Sequence, residues 1–195
     1  MREIALFVED FAHQAFLQAL LQRLADEYGV GIQLDWRNAL HGHGAVVKEL
    51  KRFLRDLQRD RDTLPDLVVV ATDANCKGWL ERQREITEVT TKINVPMVCA
   101  VPDPHIERWL LVDSAAFKSV FGRGCNPPDL KCERARYKKM LVDSIRASGI
   151  IPSLGGIEFA EDIVMTMNLD RVTTTDTSLK KLIEELRNIF QVWRM

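Results

Sequence analysis

Two adjacent carboxylates, Glu9 and Asp10, close an apolar run in the stretch FVEDFAHQAF, and a helical apolar pattern starts directly behind them. A helix start needs one capping oxygen, and Asp10 is placed to supply it. Glu9 has no such duty. It continues an apolar strand, where an unpaired acid is expensive. Asp73 and Asn75 end a second apolar run, DLVVVATDAN; two residues apart in extended chain, they face the same side. A third run, VPMVCAV, is followed by Asp103, and Glu107 stands one turn into the next helical stretch. Acids that converge from separate parts of a chain repel one another unless something positive sits among them. A divalent cation is the simplest candidate. Mg²⁺ is held by one or two carboxylates plus waters and substrate phosphates, with Mn²⁺ as its substitute here. The layout suits metal-assisted phosphoryl chemistry. The expected metal ligands are Glu9, Asp73 and Asn75. Glu9 and Glu107 are the expected catalytic acids, with Glu9 either binding the ion or taking the nucleophile's proton. Plainer duties compete: Asp73 as a helix cap, Asn75 as a turn residue, Glu107 on a solvated face.

Four short runs read as buried strands, at residues 4–9, 30–36, 66–73 and 95–101. They are rich in β-branched residues and mostly apolar on both faces, as parallel strands covered by helices are. Helical patterns at 11–28, 45–60 and 77–92 separate them. This β-α-β-α-β-α-β order predicts a doubly wound α/β fold with a mainly parallel four-stranded sheet flanked by helices. Ligands gather at the carboxyl ends of such strands, where the acids above all stand. After residue 102 only helices are expected. Asp103 would cap the first, with Pro104 in its first turn. A loop at 122–129 leads to a basic helix at 129–148, a short helix near 157–168 and a last one near 176–193. The division is an α/β domain at 1–121 with a helical C-terminal extension, 122–195, packed on it.

These residues carry a resemblance. A strand-end Glu, then a helix, then an apolar strand closing in D-x-D resembles the Toprim domain of topoisomerases, primases and several Mg²⁺-dependent nucleases of bacterial defence and lysogeny-interference systems. The matching stretches are IALFVEDFAHQAFLQALLQRL and DLVVVATDAN; VPDPHIERWLLVD is similar to the I-E-x-W-L-L-x-D signature of a bacterial Toprim-like family, and YKKMLVDSI fits the same group. The resemblance spans roughly residues 3–145. It implies that Glu9 is the catalytic or metal-binding glutamate, Asp73 the first acid of D-x-D and Glu107 a further acid. Asn75 stands where the pattern has Asp: an amide oxygen ligates Mg²⁺ without bringing charge. The implied function is a Mg²⁺-dependent phosphodiesterase acting on DNA or RNA, working with a partner ATPase in trans. This chain contains no G-x-x-x-x-G-K-[ST] motif of its own.

Residues 118–148 hold eight cations against three anions in a chain of formal net charge −1. Such an excess suits contact with a phosphate backbone. Arg123, Lys131, Arg134, Lys138 and Lys139 are the expected nucleic-acid contacts, and Lys138 is also placed to steady a transition-state phosphate. The alternative is a solvated helix face. HGHG at 41–44 reads as a surface loop or as an additional metal or phosphate contact. Trp36 and Arg37, just before it, suit a nucleic-acid groove. Two other functions fit the same acids. One is a phospho-receiver module with Asp73 phosphorylated and Mg²⁺ held by Glu9 and Asp10; against it, Ala100 stands where a hydroxyl is expected. The other is a catalytically inactive Toprim-like subunit, favoured by Asn75.

The chain of 195 residues, 46% hydrophobic and 28% charged, is long enough to bury one core without a staple. No run approaches the roughly 20 apolar residues of a membrane helix, and no signal peptide is evident, so the expected location is the cytoplasm. Cys76, Cys99, Cys125 and Cys132 are accordingly expected to be free thiols.

Overall fold

A computed structural model describes residues 1–38, 42–59, 64–90, 95–133 and 135–194. His41 and Arg134 lie outside the described residues. The elements run β1 (Arg2–Val8), α1 (Phe11–Tyr28), β2 (Ile32–Asn38), α2 (His43–Arg59), β3 (Leu67–Ala71), α3 (Trp79–Thr90) and β4 (Met97–Ala100). Six helices follow: α4 (Ile106–Leu111), α5 (Ser114–Phe121), α6 (Arg136–Arg146), α7 (Ala160–Thr166), α8 (Leu169–Thr175) and α9 (Thr177–Arg194). The sheet is all parallel, in the order β2-β1-β3-β4. From β1 the chain moves outward to β2, then returns past β1 to β3. The strand order therefore reverses between β1 and β3, and a crevice opens above that pair.

Strand alternation sends side chains into two cores. Ile4, Leu6 and Val8 of β1, with Leu67, Val69 and Ala71 of β3, meet α1 and the C-terminal helices. Ala5, Phe7, Val68 and Val70 meet α2 and α3. The first core is continuous from the sheet through Phe16 and Trp109 to Leu182, Leu186 and Phe190 of α9. The C-terminal helices thus close one face of the sheet, and no separate core serves them among the described residues. No helix among the described residues is long and apolar enough to cross a membrane.

Local chemistry explains the boundaries. Asp10 caps α1 by accepting from the His13 amide, and Gly29 ends it at φ 66°, where a Cβ would be penalised. Two boundaries differ from expectation. The 103–104 bond is cis, and α4 begins at Ile106 rather than behind Asp103. Its first free amide is capped from a distance by Asp73, which removes the need for a local cap. The basic helix expected from 129 starts only at Arg136, because the carbonyls of Asp129 and Lys131 bond to side chains. The Tyr137 hydroxyl donates to both at 2.9 Å, and Arg108 Nε donates to Asp129 O at 2.8 Å.

Phe16 is fully buried, with its ring 5.2 Å from that of Trp109. Phe16→Ala is expected to lower stability by about 3–5 kcal/mol, measured as a fall in urea midpoint at unchanged slope.

Candidate active site

The carboxyl ends of β1 and β3 and the segment after β4 meet at the crevice. Glu9 extends β1 by one bond, its N–H donating to Ala71 O at 3.1 Å. Its Oε2 accepts from the buried Thr72 hydroxyl at 2.5 Å and from the Asp73 amide at 3.1 Å. Its Oε1 accepts no hydrogen bond among the described residues and lies 3.7 Å from where a Cβ on Gly42 would sit. Gly42 takes φ 83°, a conformation that a side chain would strain. Strand alternation turns Glu9 toward α2 and Asp73 toward α1.

Asp73 is bound on both oxygens. Oδ1 accepts from the Ile106 amide at 2.9 Å, and Oδ2 pairs with His105 Nδ1 at 2.9 Å. His13 approaches Oδ1 from the α1 side. His13 is 1% exposed and makes two ion-pair contacts, Nδ1 to Asp10 at 2.8 Å and Nε2 to Asp73 at 3.3 Å. The second has ion-pair distance without hydrogen-bond alignment. Burial works against charge on this imidazole, but Asp10 and Asp73 outweigh it and hold its pKa at about 10. Burial likewise opposes charge on Asp73, and the bond from His105 and the ion pair with His13 overcome it, holding the carboxyl at about 2. The bond to Asp73 raises His105 in turn. Asp10 is lowered, its bonds from His13 exceeding the effect of burial.

The backbone locks this arrangement. The amides of Ala74 and Asn75 donate to the carbonyls of Pro102 and Pro104, each at 2.9 Å, so the turn after β3 and the proline segment after β4 move as one. Asn75 takes φ 51°, a left-handed conformation that Asn tolerates, and its amide nitrogen donates to Asp73 O at 3.3 Å. Glu107 makes no ion pair among the described residues. Burial raises its pKa, reinforced by Asp73 and Asp10.

Of the residues expected from sequence, Glu9, Asp73, Asn75 and Glu107 therefore stand at one sheet edge. Lys138 stands elsewhere. The α6 helix meets the site with Tyr137, whose ring lies 6.2 Å from that of His105, whereas Lys138 is exposed beside Gly155. Arg123 donates to Ala147 O at 3.3 Å and Lys139 pairs with Asp143 at 2.6 Å; Lys131 is exposed. His43 opens α2 and pairs with Glu85 at 3.0 Å, so it belongs to a helix start rather than a free loop. In the I-E-x-W-L-L-x-D stretch, Ile106, Trp109, Leu110 and Leu111 are core, and Asp113 caps α5. Only Glu107 of that signature is open to chemistry.

Sequence reasoning missed Thr72, His13 and His105. His13 follows Asp10 by three residues, the spacing of a helix-cap pair, which was the available signal. The free-thiol expectation is also corrected. Cys76 and Cys132 form a disulfide, Cα atoms 5.4 Å apart, tying the turn after β3 to the loop before α6; Cys99 and Cys125 are free and buried. The partners are 56 residues apart, so no local spacing marks them. Disulfides persist in oxidising compartments and are rare in the cytosol.

Among the described residues no group of three or more His, Cys, Asp or Glu side chains is disposed to hold a metal ion. No family model, curated protein or solved structure matches the chain.

The folded chain holds the His13 proton more tightly than the unfolded chain, whose pKa lies near 6.5. The contribution of His13 to stability is thus complete below pH 6.5 and lost as pH rises through about 10. His13→Ala is expected to cost about 3–5 kcal/mol at pH 6, as breaking a buried ion pair does. It should also flatten the alkaline fall in stability. Urea titrations of both proteins from pH 6 to 10 measure this; parallel curves would contradict it.

Proposed function

We propose that the chain is a Toprim-like phosphodiesterase that cleaves nucleic acid with Mg²⁺ or Mn²⁺. The observation that carries this reading is the convergence of Glu9, Asp73, His105 and Glu107 on the crevice at the strand-order reversal, with the Glu9 and Asp73 carboxylates held by bonds from neighbouring segments. The donor set fits a hard cation in one specific way. Among the described residues Glu9 Oε1, Asp10 Oδ2 and Asn75 Oδ1 accept no hydrogen bond, and the Glu107 carboxyl is raised by burial first and then by Asp73 and Asp10. Mg²⁺ needs only one or two carboxylates when waters and phosphate complete its shell. Asp73 joins that shell only by giving up a histidine contact, whereas Asn75 donates to the Asp73 carbonyl through its amide nitrogen and keeps Oδ1 free. When bound, the ion supplies charge on the scissile phosphate and lowers the pKa of an attacking water.

The residues of the chain do the rest. Thr72 and the Asp73 amide fix one Glu9 oxygen so that the other faces the crevice. Asp73 holds His105 oriented through Nδ1 and favours its charged form, which leaves the other ring nitrogen as the proposed proton source for the departing oxygen. His13 positions Asp73 and Asp10 and touches no substrate. The receiver alternative is not adopted, because both Asp73 oxygens are engaged. A partner ATPase in trans belongs to the same proposal, and recovery of no ATPase with the tagged protein from its host would count against that part.

The inactive-subunit reading stands second, on Asn75 itself, which brings no charge to the site. A cleavage assay on plasmid DNA, single-stranded DNA and tRNA separates the two. The proposal expects cleavage with Mg²⁺ or Mn²⁺, none in EDTA, and losses of at least 100-fold in Glu9→Gln and about 10²–10⁴-fold in His105→Ala. Wild-type protein that cleaves none of the three, while Asn75→Asp does, establishes the inactive reading instead.

A further inference from the structure

A second charged feature lies one strand away from the crevice. Arg37, Asn38, Ala45, Lys48, Glu49, Arg52 and Arg55 line a groove of about 490 Å³ between the end of β2 and the outer face of α2. Four cations face one acid. Lys48 and Arg55 make no ion pair among the described residues, and Arg52 reaches Glu49 only at 4.0 Å. In the basic segment near the C-terminus Arg136 is bound by Asp129 and Glu133 and Lys139 by Asp143, while Lys131 and Lys138 make no ion pair among the described residues.

The groove is also organised. The Arg37 guanidinium lies 4.5 Å from the centre of the Phe53 ring and is held by Asp35 through Nε at 3.1 Å and Nη2 at 3.0 Å. Its Nη1 edge carries no bond among the described residues. A guanidinium fixed on an aromatic face loses little freedom when it meets a phosphate. Lys48, Arg52 and Arg55 share one face of α2 and span about 10 Å of its axis, the length of about three phosphates along one duplex strand. The upper end of the groove adjoins the reacting centre. Asn38 is the register partner of Val8, the residue before Glu9.

We infer that this groove is the track for the nucleic-acid backbone leading to Glu9, with Arg37, Lys48, Arg52 and Arg55 as phosphate contacts. The substrate class rests on the nuclease reading; the location of the track does not depend on cleavage. The test is therefore a binding measurement in EDTA. A fluorescein-labelled single-stranded 20-mer is titrated with full-length protein at several salt concentrations, and anisotropy is read. Lys48→Glu/Arg52→Glu/Arg55→Glu is expected to bind at least tenfold more weakly at low salt, with a salt slope shallower by about 2. The charge-neutral Lys48→Gln/Arg52→Gln/Arg55→Gln protein, with unchanged circular dichroism, should show the same direction of change and exclude misfolding as the cause. Affinity within twofold of wild type in both triple variants overturns the inference, as does a larger loss in Lys131→Gln/Lys138→Gln. It is also overturned if wild type fails to bind the oligonucleotide, or prefers vesicles containing phosphatidylserine. Binding through the groove without cleavage in Mg²⁺ would leave the inference standing and defeat the nuclease reading. Undiminished cleavage by the triple variants would do the reverse.

Discussion

A charged imidazole with almost no contact with water holds this site together. His13 sits in the first turn of α1 between Asp10 and Asp73. A lone buried cation would be costly, and so would a buried Asp73; together they offset one another. The arrangement fixes three elements at once. The start of α1, the end of β3 and, through Asp73, the amide end of α4 take their relative positions from one pair of carboxylates and one ring. His105 and Glu9 are both referenced to Asp73, the first through its carboxylate and the second through its amide.

The surrounding chain is arranged to keep that reference still. The turn after β3 is bonded by its amides to the proline segment after β4, and one residue beyond Asn75 the Cys76–Cys132 disulfide ties it to the approach to α6. The α6 helix brings Tyr137 against His105 and, through its hydroxyl, gathers the Asp129–Lys131 loop. Arg108, buried and paired with Asp176, links the same loop to the start of α9. These bonds cross between the segments at 1–121 and 122–195, and the apolar core does the same. The C-terminal helices are part of what keeps the sheet edge rigid.

The strands and the start of α1 were legible because each depends on near neighbours in the chain. Apolar runs with β-branched residues gave β1, β3 and β4, and alternation within β1 turned Glu9 away from Val8. Asp10 was readable as a cap for the same reason. The α8 helix was not anticipated, and the helix expected near 157–168 is divided between a 3-10 turn and α7. The histidines were missed because their meaning comes from a carboxylate some sixty residues away in one case and thirty in the other. The disulfide was missed on the same ground. A count of charges along the sequence does not reveal that Arg136 and Lys139 of the basic segment are paired with acids, nor that Lys48 and Arg55 of α2 make no ion pair among the described residues. Local pattern reports the backbone, and the partners of long side chains are set by the fold.

The two adjacent acids at the start of α1 invite treatment as a matched pair, but they belong to different units of inheritance. Asp10 is bound up with His13 and Asp73. A lineage that exchanges Asp10 for a neutral residue leaves a stranded cation in its core, and one that exchanges His13 leaves two carboxylates facing each other. Such positions change together or not at all, whatever the crevice binds. Persistence of Asp10 across descendants would then record only the cost of the buried ion. Glu9, with one oxygen committed to the scaffold and the other open, is the position at which descent would register a change of chemistry.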